Sequence, residues 1–143
     1  MRFSMNRDEI KEYLPHREPM LLVDRVELEA DGSARGEYHV RGDEWFLQGH
    51  FPGNPVVPGV ILLEIMAQSC CVLLLDNLKG STPYYSGIDK VKFRKQVHAG
   101  DTIEISARTE RSIGAFYFAN CTAIVDGALC CEGRLSFAVV EGR

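Results

Sequence analysis

Two ionisable side chains stand out by type and surroundings. His50 lies in QGHFPGNPVVPG, residues 48–59, which carries three glycines and three prolines in twelve positions. Neither a helix nor a central strand runs through such a segment, so it is a shaped loop able to aim an imidazole. With an ordinary pKa of ~6.5, histidine is the side chain best suited to take and return a proton near neutrality. Glu64 follows fourteen positions later, between Ile61-Leu62-Leu63 and Ile65-Met66. An unpaired carboxylate in that setting is costly to desolvate. The site must therefore either raise its pKa and keep it protonated, or supply a specific partner. Gln68, one helical turn further on, shares a face with it and can orient it. A third element is Pro58-Gly59, the start of the helical stretch, where backbone N–H groups lack intrahelical acceptors.

These parts match one reaction. Removing water from a 3-hydroxyacyl thioester needs a base for the C2 proton, a donor for the enolate-like oxygen and an acid for the departing hydroxyl. His50, the Gly59 amide and Glu64 fill those roles in that order, although the spacing leaves the proton assignment open. Taken alone, a loop histidine more often only makes surface hydrogen bonds; the buried glutamate shifts that balance. His16, His39 and His98 lack the Asp, Glu or Cys spacing of a metal site. No G-x-S-x-G, Walker-type or dinucleotide fingerprint occurs. Lys90, Lys92 and Arg94 alternate with Val91 and Phe93, with Lys95 next. On a strand the three cations share one face, suited to an acidic carrier protein or a coenzyme A phosphate, or simply to solvent.

Positioning these groups requires an ordered frame. Residues 60–78 are mostly apolar and free of glycine and proline, which predicts one long helix, opened by Pro58-Gly59 and closed by Lys79-Gly80. Interrupted by Glu64 and Gln68, it reads as a core helix and not as a membrane span, which needs ~20 apolar residues. Asn6 and Glu9 form a capping-box pattern before a short helix that Pro15 stops. Residues 21–29 and 33–40 read as a hairpin through Asp31-Gly32, and residues 84–95, 102–112, 115–125 and 128–139 as further strands. The architecture implied is a single α+β domain over residues 1–143, a long central helix wrapped by a curved antiparallel sheet. Its edge strands invite pairing with a second copy. A chain of 143 residues, 45% hydrophobic, holds enough material for one core, and a net charge of −4 offers no global attraction to nucleic acid or anionic membrane. The first thirteen residues lack a signal-peptide pattern, giving a cytoplasmic expectation. Five cysteines, four of them in the adjacent pairs Cys70-Cys71 and Cys130-Cys131, suit neither a disulfide framework nor a C-x-x-C metal site, so they read as reduced and buried.

Taken together, LPHREPMLLVDRV from Leu14, QGHFPGNPVVPGVILLEIMAQ from Gln48, YYSGIDKVKFRK from Tyr84 and the Ala99-Gly100-Asp101 turn resemble the FabZ-type 3-hydroxyacyl-[acyl-carrier-protein] dehydratases across nearly the whole chain. The resemblance implies a hot-dog fold, acyl carrier protein as the partner bearing the substrate, and no metal or organic cofactor. It also implies a homodimer with two active sites at its interface, often assembled as a trimer of dimers. By motif match His50 and Glu64 become the catalytic pair, contributed by different subunits. Gly59 supplies the amide that polarises the thioester carbonyl, Tyr84 matches an aromatic gate at the acyl tunnel, and Phe51 lines that tunnel. Gln96 and Ala99 stand where prolines are usual, which bears on tunnel shape and chain length. Two other readings share the architecture: an acyl thioesterase in which Glu64 activates water, and a non-catalytic acyl-binding subunit.

Overall fold

The computed structural model describes residues 3–142. A short strand β1 (Phe3–Asn6), outside the elements read from the sequence, leads into the one-turn helix α1 (Arg7–Ile10). The capping box forms as expected: Asn6 Oδ1 accepts from Glu9 N at 2.9 Å, and Glu9 Oε1 accepts from Asn6 N at 3.1 Å. The hairpin also forms, but its first strand contracts to β2 (Arg25–Leu28), which pairs with β3 (Ala34–His39). Leu21, Leu22 and Val23 are buried outside the ladder, and Leu22 N donates at 2.7 Å to the side-chain carbonyl of Gln68. Burial there comes from docking a loop, not from strand pairing.

Four longer strands follow the helical region: β4 (Ser81–Phe93), β5 (Thr102–Ile113), β6 (Phe116–Val125) and β7 (Ala128–Glu141). With the first three they make one antiparallel sheet in the order β1-β2-β3-β5-β6-β7-β4. The two-residue periodicity of β5 and β6 points Ile103, Ile105, Ala107, Ala119, Cys121 and Ala123 inward, each under 5% exposed. They meet the helix α2 (Gly59–Ser69), whose Ile65 and Met66 are fully buried. This is the hot-dog arrangement, with β4 left as one open edge.

The single helix expected over residues 60–78 is divided. After α2 the chain tightens into a 3₁₀ turn at Cys70–Leu73 and ends with the short helix α3 (Leu75–Leu78). Ser69 Oγ donates to Ile65 O at 2.8 Å and Cys70 Sγ to Met66 O at 3.4 Å. Two successive side chains thus compete for the carbonyls that would continue the helix, a known cause of local tightening. All five cysteines are free and buried. Among the described residues no helix is long and apolar enough to cross a membrane.

The helix and sheet approach closely where Gly36 of β3 faces Ser69. A Cβ at Gly36 would overlap the Ser69 side chain and press on Ile105. Gly36→Ala should therefore cost about 1–3 kcal/mol by overpacking, although alanine in a strand interior is ordinarily the more stable choice. A urea melt checks this: the midpoint should fall, and an unchanged or raised midpoint contradicts the close contact.

Candidate active site

His50 is fixed by backbone groups. Its amide donates to Leu47 O at 3.3 Å and its carbonyl accepts from Val56 N at 2.9 Å. Its Nδ1 lies 2.9 Å from Val56 O, and the ring stacks on Phe51 at 4.1 Å between centroids. A carbonyl only accepts, so Nδ1 carries a proton, and in the neutral ring the lone pair is on Nε2. The loop is in turn docked by Val57 N to Val97 O at 2.8 Å and by a bridge between Val56 and His98. That neighbouring segment carries Gln96 and Ala99. Its turn is closed by Asp101 Oδ2, which accepts from His98 N at 2.8 Å, and Gln96 faces the cleft beside His50.

Gly59 opens α2 after Pro58, and the helix has no side-chain N-cap. Pro58 O accepts from Ile61 N and Leu62 N, so the Gly59 and Val60 amides are the ones without intrahelical acceptors. Gly59 and His50 line one cleft of about 570 Å³, with Phe93, Arg94 and Lys95 along its wall. A Cβ at Gly59 would stand 2.7 Å from the Phe93 ring, so only glycine leaves the approach to this helix end clear.

Glu64 faces a different cavity of about 170 Å³, lined by Leu14, His16, Gln68, Cys71, Leu78 and Tyr84 among others. Of the two expectations for its charge, the partnered one holds. Gln68 Nε2 donates to Glu64 Oε2 at 2.9 Å, Tyr85 O–H reaches Oε1 at 3.1 Å, and His16 Nε2 faces Oε2 at 3.5 Å. Burial works against the charge, but the contacts from His16, Gln68 and Tyr85 outweigh it and hold the carboxyl below its ordinary value. Gln68 is itself anchored, accepting from Leu22 N and donating to Met20 O at 2.7 Å.

The site residues expected from sequence are thus brought into two groups. Glu64, Gln68 and Tyr84 share the inner cavity, whereas His50 and Gly59 share the outer cleft. Phe51 stacks on His50 and is 53% exposed. The cations do not form one regular row. Lys90 adopts a positive φ of 54° within a bulge between Asp89 and Lys92, which breaks the alternation. Arg94 and Lys95 border the His50 cleft, and Arg94 is bound to Glu132 at 2.8 Å. Sequence reasoning considered His16 only as a metal ligand and passed over Tyr85. Nothing in their spacing pointed to Glu64, because each comes from a separate element.

Comparison with known proteins shows the family. The sequence model of the FabA-like domain matches residues 14–134. The chain belongs to the FabA-like family. Within it, a protein named 3-hydroxyacyl-[acyl-carrier-protein] dehydratase FabZ from Clostridium perfringens is 45% identical over 137 residues, 94% of this chain and 99% of that one. Its namesake from Caldicellulosiruptor bescii is 47% identical, over 94% and 98% of the two chains. This FabA-like chain is a FabZ-type dehydratase. Among solved structures, the dehydratase heterocomplex ApeI:P from Xenorhabdus doucetiae aligns with a TM-score of 0.77 at 21% identity, covering 90% of this chain and 89% of that one. A Thermus thermophilus hypothetical protein of the thioesterase superfamily aligns at 0.63 and 20% identity, covering 76% and 81%. At those identities the likeness is one of fold.

The depressed titration of Glu64 in this FabZ-type chain has a sign. A carboxyl whose folded pKa lies below its ordinary 4.5 adds stability above that value and loses it as pH falls through the folded one. The stability gap between wild type and Glu64→Gln should therefore narrow between about pH 6 and about pH 3. Urea titrations across that range check this, and a constant gap contradicts the donor-held carboxylate.

Proposed function

We propose that the chain converts (3R)-3-hydroxyacyl chains on acyl carrier protein into trans-2-enoyl chains in fatty acid biosynthesis, with His50 and Glu64 as the acid–base pair. The observation that carries this reading is the tie between His50 Nδ1 and Val56 O at 2.9 Å, which leaves Nε2 as a fixed base beside the free end of α2. His50 Nε2 takes the C2 proton, and the C2 electron pair moves toward the thioester carbonyl. The Gly59 N–H, at the positive end of the α2 dipole, supports the developing oxyanion. The C3–O bond breaks as Glu64, reacting from its protonated form, gives a proton to the hydroxyl, which departs as water; His50 then releases its proton and Glu64 regains one, which resets the pair. The reaction removes one proton and one hydroxide from the substrate and needs no redox partner.

His50 and Glu64 line separate cavities of one chain, so the proposed site is completed by a second copy. The β4 edge supports this: Tyr84, Ile88 and Phe93 are each at least half exposed there, on a strand paired on one side only. Two such edges meeting about a two-fold axis would place the His50 cleft of one subunit against the Glu64 cavity of the other. The assembly proposed is a homodimer, with three dimers forming the hexamer that the family resemblance implies. Arg94 and Lys95 at the cleft, with Lys90 and Lys92 beside them, would receive the acidic carrier and the phosphate of its prosthetic arm. The proposed setting is cytoplasmic, without nucleic acid or membrane as partner and without metal or organic cofactor.

The thioesterase reading gives His50 no task, although its main chain is held by two hydrogen bonds and its ring by Val56 O and the stack on Phe51. Incubation with a 3-hydroxyacyl carrier protein separates the possibilities: enoyl product is expected, and thiol release without enoyl product contradicts the proposal. His50→Ala and Glu64→Gln should each leave folding intact and lower turnover by at least ~10²-fold. Near-normal rates in both folded variants would favour a non-catalytic acyl-binding subunit.

A further inference from the structure

The proposed role of Glu64 makes a demand that its partners meet unequally. In each turnover the group must pass between carboxylate and carboxylic acid while remaining only 18% exposed. Gln68 Nε2 only donates, so it keeps Oε2 an acceptor whether or not the other oxygen carries a proton. His16 Nδ1 is buried without a hydrogen-bond partner, which favours the ring proton on Nε2, directed at Glu64 Oε2. Both contacts are made to Oε2, so uptake and release of the proton fall to Oε1. The Oε1 atom is held differently, by the hydroxyl of Tyr85 at 3.1 Å.

Tyr85 is built to follow that change. Its hydroxyl oxygen lies 3.1 Å from Glu64 Oε1 and also 3.3 Å from the backbone carbonyl of Leu63. A phenol has one proton to donate and lone pairs with which to accept. While Glu64 is charged, the O–H points to Oε1. Once Oε1 carries a proton, the Tyr85 hydrogen can rotate to Leu63 O and the phenol oxygen can accept from Glu64. The reversal needs rotation about one C–O bond and no movement of heavy atoms. The ring is held in place by its place in β4 and by its contact with Phe137, 5.6 Å between centroids.

From this geometry, and resting on the acid role proposed for Glu64, we infer that Tyr85 is a positioning residue whose hydroxyl keeps Oε1 hydrogen-bonded in both protonation states. The surrounding ionisable groups leave Tyr85 to act as a neutral hydroxyl. Burial and the Glu64 charge push its phenol up, far above neutrality. From the helical run, the Cys71 thiol is pushed up to about 12 by burial, and Cys70 is raised by its hydrogen bond to Cys121 of β6 and by burial. His16, from the segment before β2, faces Oε2 on the opposite side of the carboxyl.

Tyr85→Phe tests this with the loss of one oxygen and retention of the ring. Thermal melting should stay close to wild type. The limiting kcat for a 3-hydroxyacyl carrier protein, fitted from the pH profile so that the protonated fraction of Glu64 is accounted for, should fall about tenfold with little change in KM, the scale of one hydrogen bond to a charged group. The limb of the kcat–pH profile that reports Glu64 should move to higher pH. The Glu64 carboxyl, followed by ¹³C NMR in labelled protein, should titrate at higher pH than in wild type, because the charged form has lost a donor. The NMR arm does not depend on turnover. If wild type makes no enoyl product, the dehydratase reading fails, while the carboxyl titration still decides whether Tyr85 governs Glu64. A folded Tyr85→Phe protein with wild-type kcat, pH profile and Glu64 titration overturns the inference.

Discussion

A carboxylate set into the apolar stripe of a core helix persists only if donors converge on it. This requirement organises much of the molecule. Gln68, one turn along α2, supplies the nearest donor and is itself gripped by Met20 O and Leu22 N. His16 arrives from the segment leading to β2, and Tyr85 from β4 at the sheet edge. Three parts of the chain that share no secondary structure are therefore joined at one charge. The attraction offsets a burial cost that would otherwise leave Glu64 protonated. The same contacts dock the 15–24 segment, so the chemistry and the fold draw on one set of hydrogen bonds.

The histidine is held by the opposite strategy. Among the described residues no charged group fixes it; a loop rich in glycine and proline does, through Leu47 O, Val56 N and Val56 O. A neutral imidazole with its Nδ1 proton committed keeps a basic Nε2 without any carboxylate to orient it. Separate means of support let the two groups sit in different cavities, and the open edge of β4 accounts for how a second subunit would unite them. The solved-structure neighbours include both a dehydratase complex and a thioesterase-superfamily protein. The frame is shared, so on the proposed reading the side chains at its loop and helix start decide the chemistry.

Much of this frame was legible in the residue pattern. Alternating β-formers between glycine-containing turns located β5, β6 and β7, and Pro58-Gly59 marked the start of α2. Glu64 and Gln68 could be paired because helical geometry relates positions four apart. Three features were hidden for physical reasons. The break after Ser69 arises from side chains bonding back to the helix, which hydropathy does not record. The bulge at Lys90 destroys a face that strict alternation would create. The approach of His16 and Tyr85 to Glu64 is set by tertiary docking across the sheet and the N-terminal loop, where local spacing carries no signal.

The division of the site between two chains is the claim on which the catalytic account turns, and complementation measures it directly. His50→Ala and Glu64→Gln chains bearing different tags would be co-expressed, and assemblies containing both purified. If each site takes His50 from one subunit and Glu64 from its partner, every mixed dimer regains one intact site, and activity rises far above both parents toward about half of wild type. If both groups act within one chain, every site in the mixed dimer remains damaged. Activity no higher than that of the parents would contradict the account.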